Sequence, residues 1–172
     1  PHNVWGPSWS SDGRHIYASG QVDGHEIEAY RFDLRGIDQT ILSTGTFSPM
    51  NRFVDDPERG LVYYEHLARG NSLPASGSQI KAYDTRTGES SALVTRPGGA
   101  MNPALSPDGM SLAYIHRNDM VDELIVRDLD TNLQRVVARG IERDRQDYPV
   151  YHHATYPGMA WTPDGASIVI WY

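Results

Sequence analysis

The sequence lacks several features that would restrict its function directly. It contains no cysteine, so no disulfide bond can staple the fold and cysteine usage says nothing about the redox compartment. Lysine and arginine number 15 against 22 aspartate and glutamate residues, which gives a net charge of −7. The basic residues are scattered singly, and this argues against nucleic-acid binding. No apolar run approaches the length that crosses a bilayer, so membrane insertion is not expected.

Motifs of common catalytic centres are also missing. Neither a Gly-x-Ser-x-Gly nucleophile elbow nor a Gly-x-x-x-x-Gly-Lys phosphate loop occurs. His25-Glu26 has the first two residues of a metalloprotease motif, but no second histidine follows at the helical spacing that the motif requires. The seven histidines are spread over the chain. We therefore predict no catalytic residue, no metal ligand and no cofactor site within this sequence.

A turn motif, in contrast, returns along the chain. It reads Ser10-Ser11-Asp12-Gly13, Ser106-Pro107-Asp108-Gly109 and Thr162-Pro163-Asp164-Gly165, with a weaker copy at Asp56-Pro57-Glu58-Arg59-Gly60. Proline presets the φ angle of a type I turn, aspartate bonds nearby main-chain amides, and glycine re-enters the next strand in a left-handed conformation. The copies lie about fifty residues apart, a period typical of radially repeated β-structure.

Each turn joins two short apolar strands, and two further strands with polar turns follow. Such a unit of four antiparallel strands cannot bury both faces alone, so stacking around an axis is expected. The sequence predicts an all-β partial β-propeller, with about three full blades and the inner strands of a fourth. Trp9 and Trp161 are predicted to pack between blades. The predicted blades of the segment 1–172 span approximately residues 1–45, 46–97, 98–140 and 156–172.

Propellers have four to eight blades, so a unit of this size is expected to be part of a larger propeller. The sequence begins at Pro1 and stops at Tyr172, inside an apolar strand. We interpret it as a portion of a longer protein.

The repeat resembles that of the TolB-like propellers, in which the (Ser/Thr)-Pro-Asp-Gly turn precedes a strand such as Leu112-Ala113-Tyr114 or Ile168-Val169-Ile170. A narrower resemblance covers residues 2–10 and 140–165. These stretches are similar to the propeller that precedes a metal-dependent amidohydrolase domain in certain secreted bacterial proteins. The resemblance implies a periplasmic or secreted protein.

The narrower resemblance has consequences for activity. It implies a catalytic barrel beyond Tyr172, with a metal held by His-x-His and by distal histidine and aspartate ligands. Those ligands match nothing in this sequence, so any metal belongs to the missing domain. Whether the parent protein is an enzyme stays open. The leading hypothesis is a non-catalytic scaffold or interaction module, and the alternative is the propeller portion of an amidohydrolase.

One stretch carries the candidate binding residues. Adjacent histidines on an extended chain point to opposite sides, so His152 and His153 are not expected to share a metal. With the neighbouring tyrosines they form either a binding loop or a long loop folded over the ring. The candidate binding residues are Tyr148, Tyr151, His152, His153 and Tyr156.

The lengths of the connections predict where a partner binds. The turns within each strand pair are tight, whereas the long connections 67–78 and 139–156 are predicted to project from the opposite face of the propeller. Function on rigid scaffolds concentrates in such loops. We therefore expect another domain or protein to pack on this face.

Overall fold

A computed structural model describes residues 3–21, 27–35, 39–43, 52–67, 78–118, 121–141 and 158–171. These residues form β-strands and turns, and none of them lies in a helix. The strands are β1 (Asn3–Trp9), β2 (His15–Gln21), β3 (Ile27–Asp33), β4 (Gln39–Ser43), β5 (Phe53–Asp56), β6 (Leu61–Leu67), β7 (Ser78–Asp84), β8 (Ser90–Val94), β9 (Ala100–Leu105), β10 (Ser111–Asn118), β11 (Val121–Asp128), β12 (Gln134–Ile141), β13 (Gly158–Trp161) and β14 (Ile168–Trp171).

The strands form three four-stranded sheets and one strand pair. The sheet orders are β1-β2-β3-β4, β5-β6-β7-β8 and β9-β10-β11-β12, and β13 pairs with β14. All pairings are antiparallel between strands that follow each other along the chain. We refer to the sheets as blades 1, 2 and 3 and to the pair as blade 4. The predicted all-β, four-stranded architecture is confirmed.

The repeated turn closes as its residues predict. In blade 3 the N–H of Gly109 donates to the carbonyl of Ser106 at 2.9 Å, and Gly109 has a φ of +71°. The Ser106 hydroxyl oxygen accepts the N–H of Ser111 at 2.9 Å. The turn of blade 4 repeats both bonds from Thr162. The side chain at the first turn position thus fixes the start of the following strand.

Apolar side chains from facing blades form the core. Blades 2 and 3 share the largest of three clusters, which includes Tyr63, Ile80, Leu112 and Tyr114. Similar clusters fill the junction of blades 1 and 2 and the junction of blades 3 and 4. The middle strands are covered on both faces, which is why their sequences are continuous apolar runs.

The first strand of each blade is innermost, because successive first strands contact one another. In blades 1 and 3 this strand is bulged, with register shifts between Trp5 and Ser8 and opposite the Ala113–Ile115 stretch. A residue with positive φ followed by proline forms each bulge, where the missing proline N–H is tolerated. The two residues are Gly6 at +59° and Asn102 at +53°.

The tight turns of neighbouring blades are tied together on one face. Arg59, in the turn of blade 2, donates to the carbonyl of Gly109 at 2.7 Å and to the carboxylate of Asp130 at 2.8 Å. Asp55 accepts the main-chain N–H of Ser11 from blade 1 at 2.8 Å. We call this side the turn face. The opposite side, where β2, β6 and β10 end and the first strands begin, is the loop face.

The two tryptophans differ in their environments. Trp161 is partly buried against the cluster between blades 3 and 4, and its indole N–H donates to the carbonyl of Ala104 at 3.0 Å. Trp9 occupies the equivalent place in blade 1, but 65% of its surface is exposed. The predicted packing is confirmed for Trp161 and wrong for Trp9, because no preceding blade covers blade 1 among the described residues.

Candidate binding site on the loop face

The five binding residues predicted from the sequence, Tyr148, Tyr151, His152, His153 and Tyr156, lie outside the described residues. The described chain reaches their segment from both sides: β12 ends at Ile141 and β13 begins at Gly158. Both ends lie on the loop face. The predicted assignment of these five residues to a binding loop therefore stays a prediction.

Buried polar side chains are concentrated on the same face. Of the ten that are buried among the described residues, three belong to the tight turns and seven lie toward the loop face. Burying a polar group costs free energy unless it is hydrogen-bonded, so such a concentration indicates a structured site. The seven residues are Ser19, Glu65, His66, Ser78, His116, Asp122 and Glu123.

Glu65 is the most unusual of these residues. It is 7% exposed, and its carboxyl oxygens accept the hydroxyl of Ser78 at 3.1 Å and the main-chain N–H of Asn102 at 3.4 Å. Burial raises the pKa of Glu65 to about 7, although the two hydrogen bonds oppose the shift. The carboxyl group is therefore poised to gain or lose a proton near neutral pH.

Glu65 differs in chemical type from the residues at the same strand position in the neighbouring blades. His15, Leu61 and Ser111 each pair with the aspartate that opens the following turn. Four residues further on, at the junction with the next blade, the equivalent residues are Ser19, Glu65 and Ile115. A carboxyl group at a junction that otherwise holds small or apolar side chains is a signal of a specific role.

Asn102 connects Glu65 with the innermost strand of blade 3. Its φ of +53° is uncommon for a residue other than glycine, and the following Pro103 disfavours a helical conformation there. The bulge turns the N–H of Asn102 toward Glu65 in blade 2. Bulges are frequent next to functional sites, where they redirect a main-chain or side-chain group.

A tight connection before β9 supports the same junction. The Nδ1 atom of His116 lies 2.8 Å from the carbonyl oxygen of Gly99. A Cβ atom on Gly98 would lie 1.9 Å from the carbonyl oxygen of Arg117, so only glycine permits the close approach of the two chains. His116 and Gly98 thus fix the path by which the chain enters blade 3.

An ion pair lies at the outer part of the face. The Nε of Arg139 donates to a carboxylate oxygen of Glu123 at 2.8 Å, and the side chains are 70% and 7% exposed. The pair joins the last two strands of blade 3 just before residues 142–157. The buried carboxylate of Glu123 thus positions the exposed guanidinium group of Arg139 on the loop face.

Arg52 lies at the inner part of the face and was not singled out by its sequence context. It immediately precedes β5, and its Nη1 donates to the carbonyl of Met159 in blade 4. Blades 2 and 4 are separated by blade 3 in the stack, so this hydrogen bond links two blades that are not neighbours. Burial lowers the pKa of Arg52. The signal that identifies it is again a departure from the repeat.

Comparison with known proteins establishes the fold. No protein-family model matches the sequence, and no curated protein matches it. Among solved structures, TolB from Acinetobacter baumannii is similar, with a TM-score of 0.72 and 20% identity over 96% of this chain and 36% of that chain. A putative TolB from Agrobacterium tumefaciens has a TM-score of 0.68 and 20% identity, over 98% and 53% of the two chains. The fold is that of a TolB-like β-propeller.

A third structure, the complex of nidogen and laminin, has a TM-score of 0.64 and 12% identity, over 97% of this chain and 56% of that chain. The TolB-like chain therefore spans between about a third and just over half of the length of these structures. At such identities the similarity shows the fold and assigns no function.

The described part of this TolB-like propeller collects polar and charged groups on its loop face. No three histidine, aspartate or glutamate side chains there converge as metal ligands. A search of the same residues for a long apolar helix, of the kind that crosses a membrane, found none. What the loop face offers is hydrogen-bonding groups at fixed positions on a rigid sheet junction, together with the cations Arg52 and Arg139.

Proposed function

We propose that this chain is a non-catalytic scaffold or interaction module and that its loop face is the contact surface for another domain or protein. The observation that carries the proposal is the division between the two faces. The turn face is closed by short turns and by bonds between blades, such as Arg59 to Asp130. The loop face collects the buried polar groups and the long connections. Binding surfaces are commonly loops and polar groups positioned by a rigid scaffold.

Two further observations support a binding role. One of the similar structures is, by its description, a complex between nidogen and laminin, so this fold is present in a protein that assembles with another protein. The tyrosines and histidines predicted to bind a partner, from Tyr148 to Tyr156, belong to the segment that connects β12 and β13. Tyrosine is enriched in protein interfaces because it combines apolar area with a hydrogen-bonding group.

Site-specific photocrosslinking tests the proposal in the full-length protein within its native host. A photoreactive amino acid replaces Val121, which opens β11 on the loop face and is 43% exposed. The matched control is Leu34, in a tight turn of blade 1 and 46% exposed. We expect a discrete crosslinked product from position 121 and none from position 34. Crosslinks from position 34 alone, or from neither position, would contradict the proposal.

A second candidate function concerns the parent protein. Residues 140–165 are similar to the propeller that precedes an amidohydrolase domain, and this observation favours a longer, metal-dependent hydrolase. In that case the propeller would position or cover a catalytic barrel, and the metal would activate a water molecule there. The coding sequence after Tyr172 tests this candidate. A strand that carries His-x-His, followed by alternating helices and strands, supports the hydrolase, whereas further Asp-Gly turns contradict it.

A periplasmic or secreted location is part of the same proposal and rests on the resemblance to TolB-like propellers. Fractionation of cells that express the full-length protein tests it directly. Recovery in the periplasmic or extracellular fraction supports the location, and recovery with the cytoplasm contradicts it.

A further inference from the structure

Arg52 is the one charged residue at its level of the repeat. The innermost strands align through Ser8, Val54, Ala104 and Ala160, each of which pairs with the same position of its neighbouring strand. At the loop-face end of these strands, the sheet register places Trp5 opposite Ser19, Met101 opposite Ile115 and Gly158 opposite Trp171. Arg52 takes this level in blade 2, because it directly precedes Phe53, which pairs with Tyr64.

The other residues at this level are uncharged. Trp5 and Met101 lie beside the bulge residues Gly6 and Asn102, and a Cβ atom on Gly158 would lie 2.2 Å from the indole of Trp171. Arg52 is the one charged side chain of the four. The contact of its Nη1 with Met159 brings the guanidinium group to the inner ends of the blades.

The guanidinium group is incompletely satisfied among the described residues. It is partly buried, and the carbonyl of Met159 is the acceptor that the described chain provides. Burial is the cause of its lowered pKa, and no carboxylate of the described residues acts against it. Other described arginines have carboxylate partners. Arg59 pairs with Asp130 at the turn face, and Arg139 pairs with Glu123 on the outer strand of blade 3.

A partly buried cation without a counter-charge is unfavourable by itself. A ligand that brings its own negative charge would complete the hydrogen bonds of the guanidinium group, whose five N–H donors match a carboxylate in a two-point geometry.

We propose that Arg52 anchors a carboxylate group that enters the inner end of the loop face, carried either by a small organic acid or by a peptide segment of a partner. A single guanidinium group balances one negative charge, which favours a carboxylate over a phosphate dianion. The bulge residue Asn102 adds a polar side chain next to this level.

This inference rests on the proposal that the loop face receives a ligand or partner, but the two fail separately. Crosslinking at position 121 without a carboxylate response at Arg52 would leave the contact surface intact and overturn the anchor. A carboxylate response at Arg52 without crosslinking at position 121 would support the anchor and contradict the contact surface.

The test follows the side-chain Nε–H resonance of Arg52 in full-length protein labelled with ¹⁵N-arginine. The resonance is assigned by its loss in Arg52→Lys. The probes are sodium acetate, acetyl-tetraalanine with a free carboxyl terminus, and an amidated acetyl-Ala-Glu-Ala-Ala peptide. Amidated acetyl-tetraalanine and sodium chloride at equal ionic strength are the neutral and ionic controls. We expect saturable shifts with the three carboxylates and none with the two controls.

The peptide arms distinguish the source of the carboxylate. Tighter binding of the free carboxyl terminus, or of the glutamate peptide, identifies a peptide partner, and equal binding of acetate identifies a small acid. We expect Arg52→Gln to weaken the binding of the tightest probe at least about tenfold, measured by calorimetry. Arg86→Gln, which changes an exposed arginine of the turn face, should bind as the unmodified protein does.

Three results would overturn the proposal. These are a shift with chloride equal to that with acetate, the absence of a shift with every carboxylate, and unchanged binding in Arg52→Gln. If Arg52→Gln does not fold, as judged by thermal unfolding, Arg52→Lys supplies the comparison. It keeps the charge but loses the two-point geometry, so weaker binding is expected from it as well.

Discussion

Glu65 of blade 2 accepts a hydrogen bond from the main-chain N–H of Asn102 in blade 3, with an N···O distance of 3.4 Å. The contact joins a buried carboxyl group to a bulge, and both are departures from the repeat. Because Ser78 also donates to Glu65, the junction of blades 2 and 3 holds a polar contact among apolar neighbours. Several measurable properties of the protein depend on this junction and on the ties at the opposite face.

The first prediction concerns pH. The pKa of Glu65 is raised from 4.5 to about 7 in the folded state by burial, so folding retains a proton that the unfolded chain has lost between these values. The contribution of Glu65 to the free energy of unfolding is complete below pH 4.5, decreases as the pH rises toward 7 and is lost above pH 7. The free energy of unfolding should therefore be lower at pH 8 than at pH 4.5 by on the order of 3 kcal/mol from this group.

Glu65→Gln should remove this part of the pH dependence, measured by urea unfolding across the pH range. A glutamine can accept the N–H of Asn102 through its oxygen and donate to the Ser78 hydroxyl through its amide. Glu58→Gln, in the exposed turn of blade 2, is the matched control and should retain the full dependence. Identical pH profiles for Glu65→Gln and the unmodified protein would show that Glu65 is already ionised in the fold.

The second prediction concerns the ties at the turn face. Arg59→Ala removes bonds to Gly109 and Asp130 and leaves Asp56, 1% exposed, without its cation. Tyr63 still donates to Asp56 at 2.9 Å, so we expect a loss of about 1–3 kcal/mol in unfolding free energy. Arg35→Ala removes an exposed pair with Asp33 and should cost about 0–1 kcal/mol. Equal effects of both changes in denaturant unfolding would contradict the structural role of Arg59.

The third prediction concerns the connection into blade 3. Gly98 and Gly13 both have positive φ angles, at +86° and +66°. A Cβ atom on Gly98 would collide with the carbonyl of Arg117, whereas one on Gly13 would meet nothing within 4 Å. Gly13→Ala should cost about 1–2 kcal/mol from backbone strain alone, and Gly98→Ala should cost clearly more. Thermal unfolding of the two variants measures the difference, and similar losses would mean that the connection shifts without penalty.

The fourth prediction concerns the segment that the sequence marked as a binding loop. Alanine at Tyr148, Tyr151, His152, His153 and Tyr156 together should abolish the crosslinked product from position 121 while leaving the thermal unfolding midpoint within about 2 °C. The thermal measurement separates lost contact from lost fold. Unchanged folding together with an undiminished crosslink would remove these residues from the contact surface.

The repeated turn allowed the sheet architecture to be predicted because its residues act locally. Ser106, Asp108 and Gly109 make their hydrogen bonds within one turn, so their roles are visible in a short stretch of sequence. A sheet of apolar strands joined by tight turns buries both of its faces by stacking against other sheets, and this predicts the propeller arrangement. The similarity to TolB structures agrees with this reasoning.

The candidate site could not be predicted in the same way. Glu65 and Arg52 lie in ordinary strand sequences, and their departure from the repeat becomes visible only when the strand register aligns them with Ile115 and Gly158. That register depends on the bulges at Gly6 and Asn102, which the sequence does not place. The exposure of Trp9 could not be predicted either, because tryptophan suits packing between blades and no described blade precedes blade 1.

The apolar clusters have a consequence for how this stack loses its structure. Each cluster draws its residues from two adjacent blades, so these apolar clusters stabilise the described chain through contacts between neighbouring blades. In a stacked array, a unit with a neighbour on one side opens more readily than a unit that is flanked on both sides. The contact of Glu65 with Ser78 and Asn102 lies at the junction of blades 2 and 3, with blade 1 on one side and blade 4 on the other. Amide hydrogens there should consequently exchange with solvent later than those of the outermost units.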